Sequence, residues 1–199
     1  MKKIYIKKIF IINEVVTYSG KNKGEKMAKK VLITYSSRTG FTQGVAEMIA
    51  KTLKGDILDV DVIPMKDVQN LTAYQAVIAG SGIQAGAWLP EAMDFIHKNK
   101  QELSKKQFAA FLVCMTLAMK NGDKFRSHVK EWMQPVRALV PTVSENVFAG
   151  GLDLNKIPST VDRLKFRLST LLGVWKAGDH RDWDAIQSWA KELKAILSN

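Results

Sequence analysis

The stretch Val31-Leu32-Ile33-Thr34-Tyr35-Ser36-Ser37-Arg38-Thr39-Gly40-Phe41-Thr42 decides how this chain is read. Its first five residues are an apolar run of strand length, and from Thr42 to Leu53 the residues Val45, Met48, Ile49 and Leu53 recur at helical spacing. Four hydroxyls, those of Ser36, Ser37, Thr39 and Thr42, surround one glycine where strand gives way to helix. The orphan amides of a helix N-terminus point outward and its dipole favours negative charge, so such a loop is built to hold an anion. Gly40 allows the backbone to approach a ligand closely. The plainer alternative makes Thr42 an N-cap and the rest a strand-to-helix turn. The concentration of hydroxyls favours a phosphate site.

Outward from this loop, strand and helix patterns alternate. Ile57–Ile63 reads as a strand stopped by Pro64, and Ala76–Gly80 as the next. Pro90 stands where a helix starts, ahead of Met93, Phe95 and Ile96. Phe108–Val113 makes a fourth strand. Phe125, Val129, Trp132, Met133 and Val136 mark a helix ended by Pro141, and Val143–Ala149 makes a fifth strand closed by Gly150-Gly151. The last helix, Trp183–Leu197, carries its stripe at Trp183, Ile186, Trp189, Ala190, Leu193 and Leu197. Strands that are mostly continuous apolar runs, alternating with helices, predict an α/β fold: a doubly wound five-stranded parallel sheet covered on both faces. Ligands of such sheets sit beyond the carboxyl ends of the strands, where the strand order reverses. The loops after strands one, three and four are therefore the places to search.

Other nucleotide motifs are absent. There is no Gly-x-x-x-x-Gly-Lys-Ser/Thr, and Gly80-Ser81-Gly82 lacks the third glycine and helix start of a dinucleotide fingerprint. Strand three ends in Ala79-Gly80-Ser81 without the aspartate of a receiver domain. The pattern Tyr35-x-Ser37-x-x-Gly40-x-Thr42-x-x-x-Ala46-x-x-Ile49 is similar to the flavodoxin signature, departing from it at Thr34, where an apolar residue is usual. That resemblance covers Met27–Asn199 and implies the flavodoxin-like strand order 2-1-3-4-5 with FMN as cofactor. It implies that Ser37, Arg38, Thr39, Gly40 and Thr42 hold the FMN phosphate, with Ser36 and Phe41 beside them.

Two further loops then fall to the flavin ring. In Gly80–Trp88 the glycines permit close approach to a flat ring, which places Ser81, Gly82, Ile83, Gln84, Ala85 and Gly86 in the candidate site. Trp88 either stacks on the ring or is a buried loop aromatic. Cys114, Met115, Thr116 and Leu117 follow strand four on the flavin's other side. Cys114, the only cysteine, rules out an intramolecular disulfide framework and reads as a small buried residue rather than a reactive thiol. His97, His128 and His180 lie on separate elements, so no metal site is expected. No catalytic acid or base is identifiable from the sequence.

Charge narrows the partners. The 199 residues carry 30 Lys+Arg against 19 Asp+Glu, a net +11. Residues 1–26 hold seven lysines and two glutamates and are expected to be a disordered basic extension, or an upstream start ahead of the domain at 27–199. Lys7-Lys8 interrupt the opening apolar residues and no Ala-x-Ala-like cleavage site follows, which argues against secretion. The longest apolar run, Phe108–Met119, falls short of the ~20 residues of a membrane span.

A second basic segment lies near the C-terminus. Residues 152–181, longer than an ordinary strand-to-helix loop, contain six basic and three acidic residues. Within them Ser159–Trp175 has helical spacing at Val161, Leu164, Leu168, Leu171, Leu172 and Trp175, with Arg163, Lys165 and Arg167 around it. This amphipathic stripe either packs on the domain or contacts an anionic membrane surface or a partner.

The loop Gly82-Ile83-Gln84-Ala85-Gly86, the basic insertion and the ending Asp182-Trp183-x-x-Ile186 together resemble the bacterial quinone-dependent protoporphyrinogen dehydrogenases. Gln84 and Ala85 stand where that group commonly has Arg and Tyr. The resemblance implies a cytoplasmic enzyme, peripheral on the inner membrane face, that takes a porphyrinogen and a membrane quinone. The location of the excess charge and the intact loop at Ser37–Thr42 leave no nucleic-acid partner expected. The alternative is an electron carrier that docks with protein redox partners. The oligomeric state is not legible.

Overall fold

The computed structural model describes residues 28–157 and 159–198. The expected basic extension at 1–26 lies outside them. Five strands form one parallel sheet: β1 (Lys29–Ser36), β2 (Leu58–Pro64), β3 (Ala76–Gln84), β5 (Gln107–Cys114) and β6 (Ser144–Ala149), in the order β2-β1-β3-β5-β6. A two-residue strand β4 (Ala87–Trp88) pairs antiparallel with β3. The expected order is the one observed, with β5 and β6 as the fourth and fifth strands of the parallel set. Its reversal point lies between β1 and β3, whose register runs from Val31↔Ala76 to Ser36↔Ser81.

Alternation along β1 explains the layering. Val31 and Ile33 point to one face and Leu32 to the other, as the period of two in a strand requires. The first face is covered by α1 (Phe41–Leu53) and α6 (Trp183–Ser198), through Val45, Ile49, Leu53, Ile186, Trp189 and Leu193. Phe111 is fully buried there, with ring centroids 6.3 Å from Phe148 and 6.1 Å from Trp189. Truncating a ring in such a position costs about 3–5 kcal/mol. The opposite face is covered by α2 (Pro90–Leu103) and two short helices, α3 (Arg126–Glu131) and α4 (Gln134–Arg137).

Two expectations change, and an alternative left open is decided. The helix expected from Phe125 to Pro141 is broken into α3 and α4, because Pro135 has no N–H to donate and its ring obstructs the preceding turn. Val129, Met133 and Val136 still reach the core. Second, β3 does not end at Gly80 but continues to Gln84. It then turns through Ala85 (φ 51°) and Gly86 (φ 77°) into β4, a hairpin whose two central residues both take the positive φ that strand twist favours. The alternative at Trp88 is decided for burial: it lies in the core, only 4% exposed, and its Nε1 has no hydrogen-bond partner there.

Residues 152–181 leave and re-enter the domain at one place. A ribbon of β7 (Gly151–Leu152) and β8 (Gly178–Asp179) pairs Gly151 with Asp179 and closes the base of the insertion. The His180 N–H donates to the Gly150 carbonyl at 3.0 Å. Between the two strands stands α5 (Thr160–Leu171), capped by Ser159, whose Oγ accepts from the Asp162 N–H at 3.2 Å. Its apolar stripe does not pack on the domain. Val161, Leu164, Leu168, Leu171 and Leu172 are 53–83% exposed.

Candidate functional site

The loop between β1 and α1 sits at the reversal point. Gly40 closes it with φ 85°, a left-handed conformation that side chains rarely adopt, and its N–H donates to Ser37 Oγ at 3.0 Å. No side chain caps α1. The first N–H to find a helical acceptor is that of Gly44, which donates to the Gly40 carbonyl at 3.1 Å. The amides of Phe41, Thr42 and Gln43 are left for a ligand. Ser37 Oγ, used as an acceptor, keeps its own proton to donate. A Cβ on Gly40 would meet nothing within 4 Å, so the cradle is open at this point. This donor set fits a phosphate.

A cavity of about 370 Å³ extends from this loop over the carboxyl ends of the strands. Of the residues singled out in the sequence, Ser37, Arg38, Thr39, Phe41, Thr42, Gly82, Ile83, Gln84, Cys114 and Met115 line it together. Its size falls in the range of small-molecule sites. Ser36 and Gly40 face a neighbouring cavity of about 460 Å³ with Glu91, Pro64 and Lys66, which shares Ser37 and Arg38 with the first. Ser36 Oγ donates to Glu91 Oε1 at 2.8 Å, and Arg38 Nη2 pairs with Glu91 Oε2 at 3.0 Å. Burial works against the Glu91 carboxylate. Hydrogen bonds from its own backbone N–H and Ser36, together with the Arg38 guanidinium, nevertheless hold its pKa below the ordinary value.

Six singled-out residues do not line either cavity. Ser81 is fully buried, its Oγ donating to the Gly82 carbonyl at 2.7 Å and accepting from the Leu89 N–H at 3.0 Å, which ties the hairpin to the start of α2. Ala85 and Gly86 make the hairpin turn, and Trp88 belongs to the core. Thr116 and Leu117 form a short 3-10 turn beside the cavity, with Leu117 packed on the core. Burial pushes the Cys114 thiol up, in keeping with a wall residue rather than a thiolate.

The insertion supplies a wall that sequence reading missed. Gly150, Gly151, Leu152, Ile157, Ser159, Asp162 and Phe166 line the same cavity as the phosphate loop. The available signal was the length of 152–181 beyond the carboxyl end of the fifth parallel strand, a position equivalent to the loops after strands one, three and four. Arg163 fastens the inner side of α5, its Nη2 donating to the Ile157 carbonyl at 2.8 Å.

Fold and loop together define a doubly wound mononucleotide-binding domain whose donor set at the N-terminus of α1 fits a phosphate. A flavodoxin-domain family matches residues 32–173, and the chain belongs to that family. FMN is the cofactor this membership assigns to the site, and the open phosphate cradle fits it. The chain is 39% identical over 75 residues to "Probable flavodoxin 1" of Bacillus subtilis, a match covering 36% of this chain and 48% of that protein. The chain thus spans about half the length of that relative. Among solved structures, the Streptococcus pneumoniae TIGR4 flavodoxin superposes with a TM-score of 0.53 at 20% identity, covering 84% of this chain and 99% of that one. The Fusobacterium nucleatum flavodoxin bound to flavin mononucleotide gives 0.53 at 16% identity, covering 85% and 99%. At these identities the superpositions establish the fold. Among the described residues no helix is long and apolar enough to cross a membrane.

Proposed function

We propose that this FMN-dependent redox domain oxidises protoporphyrinogen IX and delivers the electrons to a membrane quinone. The observation that carries the reading is that α5 and the residues before it wall the cofactor cavity with Leu152, Ile157, Phe166 and one carboxylate, Asp162. A carrier that hands electrons to proteins needs its ring edge open to a protein surface, whereas a built wall fits a small apolar substrate. The net +11 suits a substrate bearing carboxylates. Bound FMN supplies a ring that takes up two electrons and a proton and passes them on. The protein's part is to hold the phosphate with the Ser37–Thr42 amides and hydroxyls, and to position the ring against Gly82–Gln84 and Cys114–Met115.

The family match favours a second reading, an electron carrier with protein partners. Turnover of protoporphyrinogen IX with a soluble menaquinone analogue separates the two. Quinol and porphyrin formation supports the enzyme. No turnover, alongside rapid reduction of a protein acceptor, supports the carrier.

A further inference from the structure

We propose that the outer face of α5 is a docking surface for an anionic lipid bilayer. It rests on the quinone-linked reading only for what docking would deliver. The surface itself is defined by exposure and charge. At about 100° of rotation per residue, Val161, Leu164, Leu168, Leu171 and Leu172 fall within one stripe of the helix. On that same wheel Lys165 borders the stripe on one side and Arg167 on the other, while Asp162 and Phe166 lie away from it on the side that lines the cavity. Exposure agrees with this division. Leu171 and Leu172 are 83% and 79% exposed, and Val174, just past the helix, extends the patch at 47%.

Charge selects the partner. Between Thr160 and Lys176 there are four basic residues and one acidic residue, and that one, Asp162, is turned toward the cavity. Arg167 and Lys176 enter none of the ion pairs among the described residues, and Lys165 reaches Asp162 only at 3.7 Å. A stripe of leucines bordered by cations on long stems matches the acyl boundary of a bilayer beneath anionic head groups. A water-facing helix has no use for it. Docked this way, α5 would rest on the bilayer with its other side lining the cofactor cavity, so that a lipid-soluble reactant could reach the cavity without crossing bulk water.

Co-sedimentation of the full FMN-loaded chain with phosphatidylcholine vesicles, with and without phosphatidylglycerol, tests this at low and raised salt. The expected result is binding to the anionic vesicles, weakened about tenfold by salt. Leu168→Asp with Leu171→Asp should weaken it about tenfold or more, because two exposed leucines that would enter the acyl boundary become charged. Neither residue lines the cavity, so flavin absorbance and turnover with a soluble quinone analogue should stay unchanged and report intact folding. Arg167→Glu with Lys176→Glu should selectively lose the anionic-lipid preference. The proposal is overturned if the full chain binds no vesicles. It also falls if the leucine variant binds as well as the parent, which would assign attachment to another segment such as residues 1–26. A concentration-dependent dimer abolished by the leucine variant, without vesicle binding, would make the patch a contact between copies.

Discussion

Arg181 donates from Nη1 to the carbonyl oxygen of Phe41 at 3.2 Å, joining the end of the insertion to the first turn of α1 across 140 residues. The same guanidinium pairs with Asp179 and lies over the Trp183 ring, 4.2 Å from its centroid. Gly44 is what lets it in, since a Cβ there would collide with the guanidinium. The phosphate loop and the insertion are therefore one mechanical unit. Arg181→Ala should cost about 1–2 kcal/mol of stability, the scale of a few partly exposed charged hydrogen bonds. It should also weaken FMN binding, because Phe41 and the Gly151–Asp179 ribbon, which both border the cavity, lose a shared anchor. Thermal denaturation with and without FMN checks both. An unchanged FMN affinity would detach the insertion from the cofactor site.

The amides of Phe41, Thr42 and Gln43 suit an anion only while no other anion competes. Thr39→Asp together with Gly40→Asp should release the flavin by placing negative charge against its phosphate. Gly40 also sits at φ 85°, so the second change adds strain of roughly 1 kcal/mol or more. A protein that folds by circular dichroism but is colourless is the expected outcome, read by flavin absorbance.

Glu91 gives the loop an acid dependence. Its folded pKa is depressed below the ordinary 4.5. Its contribution to stability is thus present above 4.5 and is lost as pH falls through the lower folded value. With a side chain 41% exposed the effect is small. Glu91→Gln should flatten the acid limb of the stability profile, and should free Arg38 and Ser36 from their carboxylate partner. Denaturant titrations across acid pH compare the two proteins. Parallel curves for both would remove Glu91 from the linkage.

How much of this could be read in the sequence depended on how local the signal was. The β1 loop was legible because its hydroxyls, Gly40 and the following helical stripe are contiguous, and the fold followed from runs such as Phe108–Val113 that need no partner to be recognised. Trp88 was ambiguous because burial of a loop aromatic depends on residues brought from elsewhere in the core, including Leu32 and Met133. The Ala85-Gly86 hairpin was missed because Ala85 takes positive φ without being glycine or asparagine. Asp162 and Phe166 were missed for the opposite reason. Their spacing fits a helix, but only the ribbon pairing Gly151 with Asp179 folds that helix back over the site.

That ribbon yields the last prediction. Gly151 lies against the Phe41 ring so closely that a Cβ would overlap it, and both residues line the cavity. Swinging Phe41 aside would weaken its contacts with the Arg181 guanidinium and the Lys156 ammonium, 5.0 Å and 5.8 Å from its ring centroid. Gly151→Ala should therefore overpack the wall at a cost of about 1–3 kcal/mol and displace the ring toward the phosphate loop. Faster FMN release, measured by the recovery of flavin fluorescence after dilution, is the expected consequence. Gly173→Ala is the control. Gly173, unlike Gly151, has positive φ, and its Cβ would meet nothing within 4 Å outside the cavity wall, so that variant should strain the backbone without changing the release rate. Equal release from the two variants would show that general loosening of the insertion, not the Gly151–Phe41 contact, governs the wall.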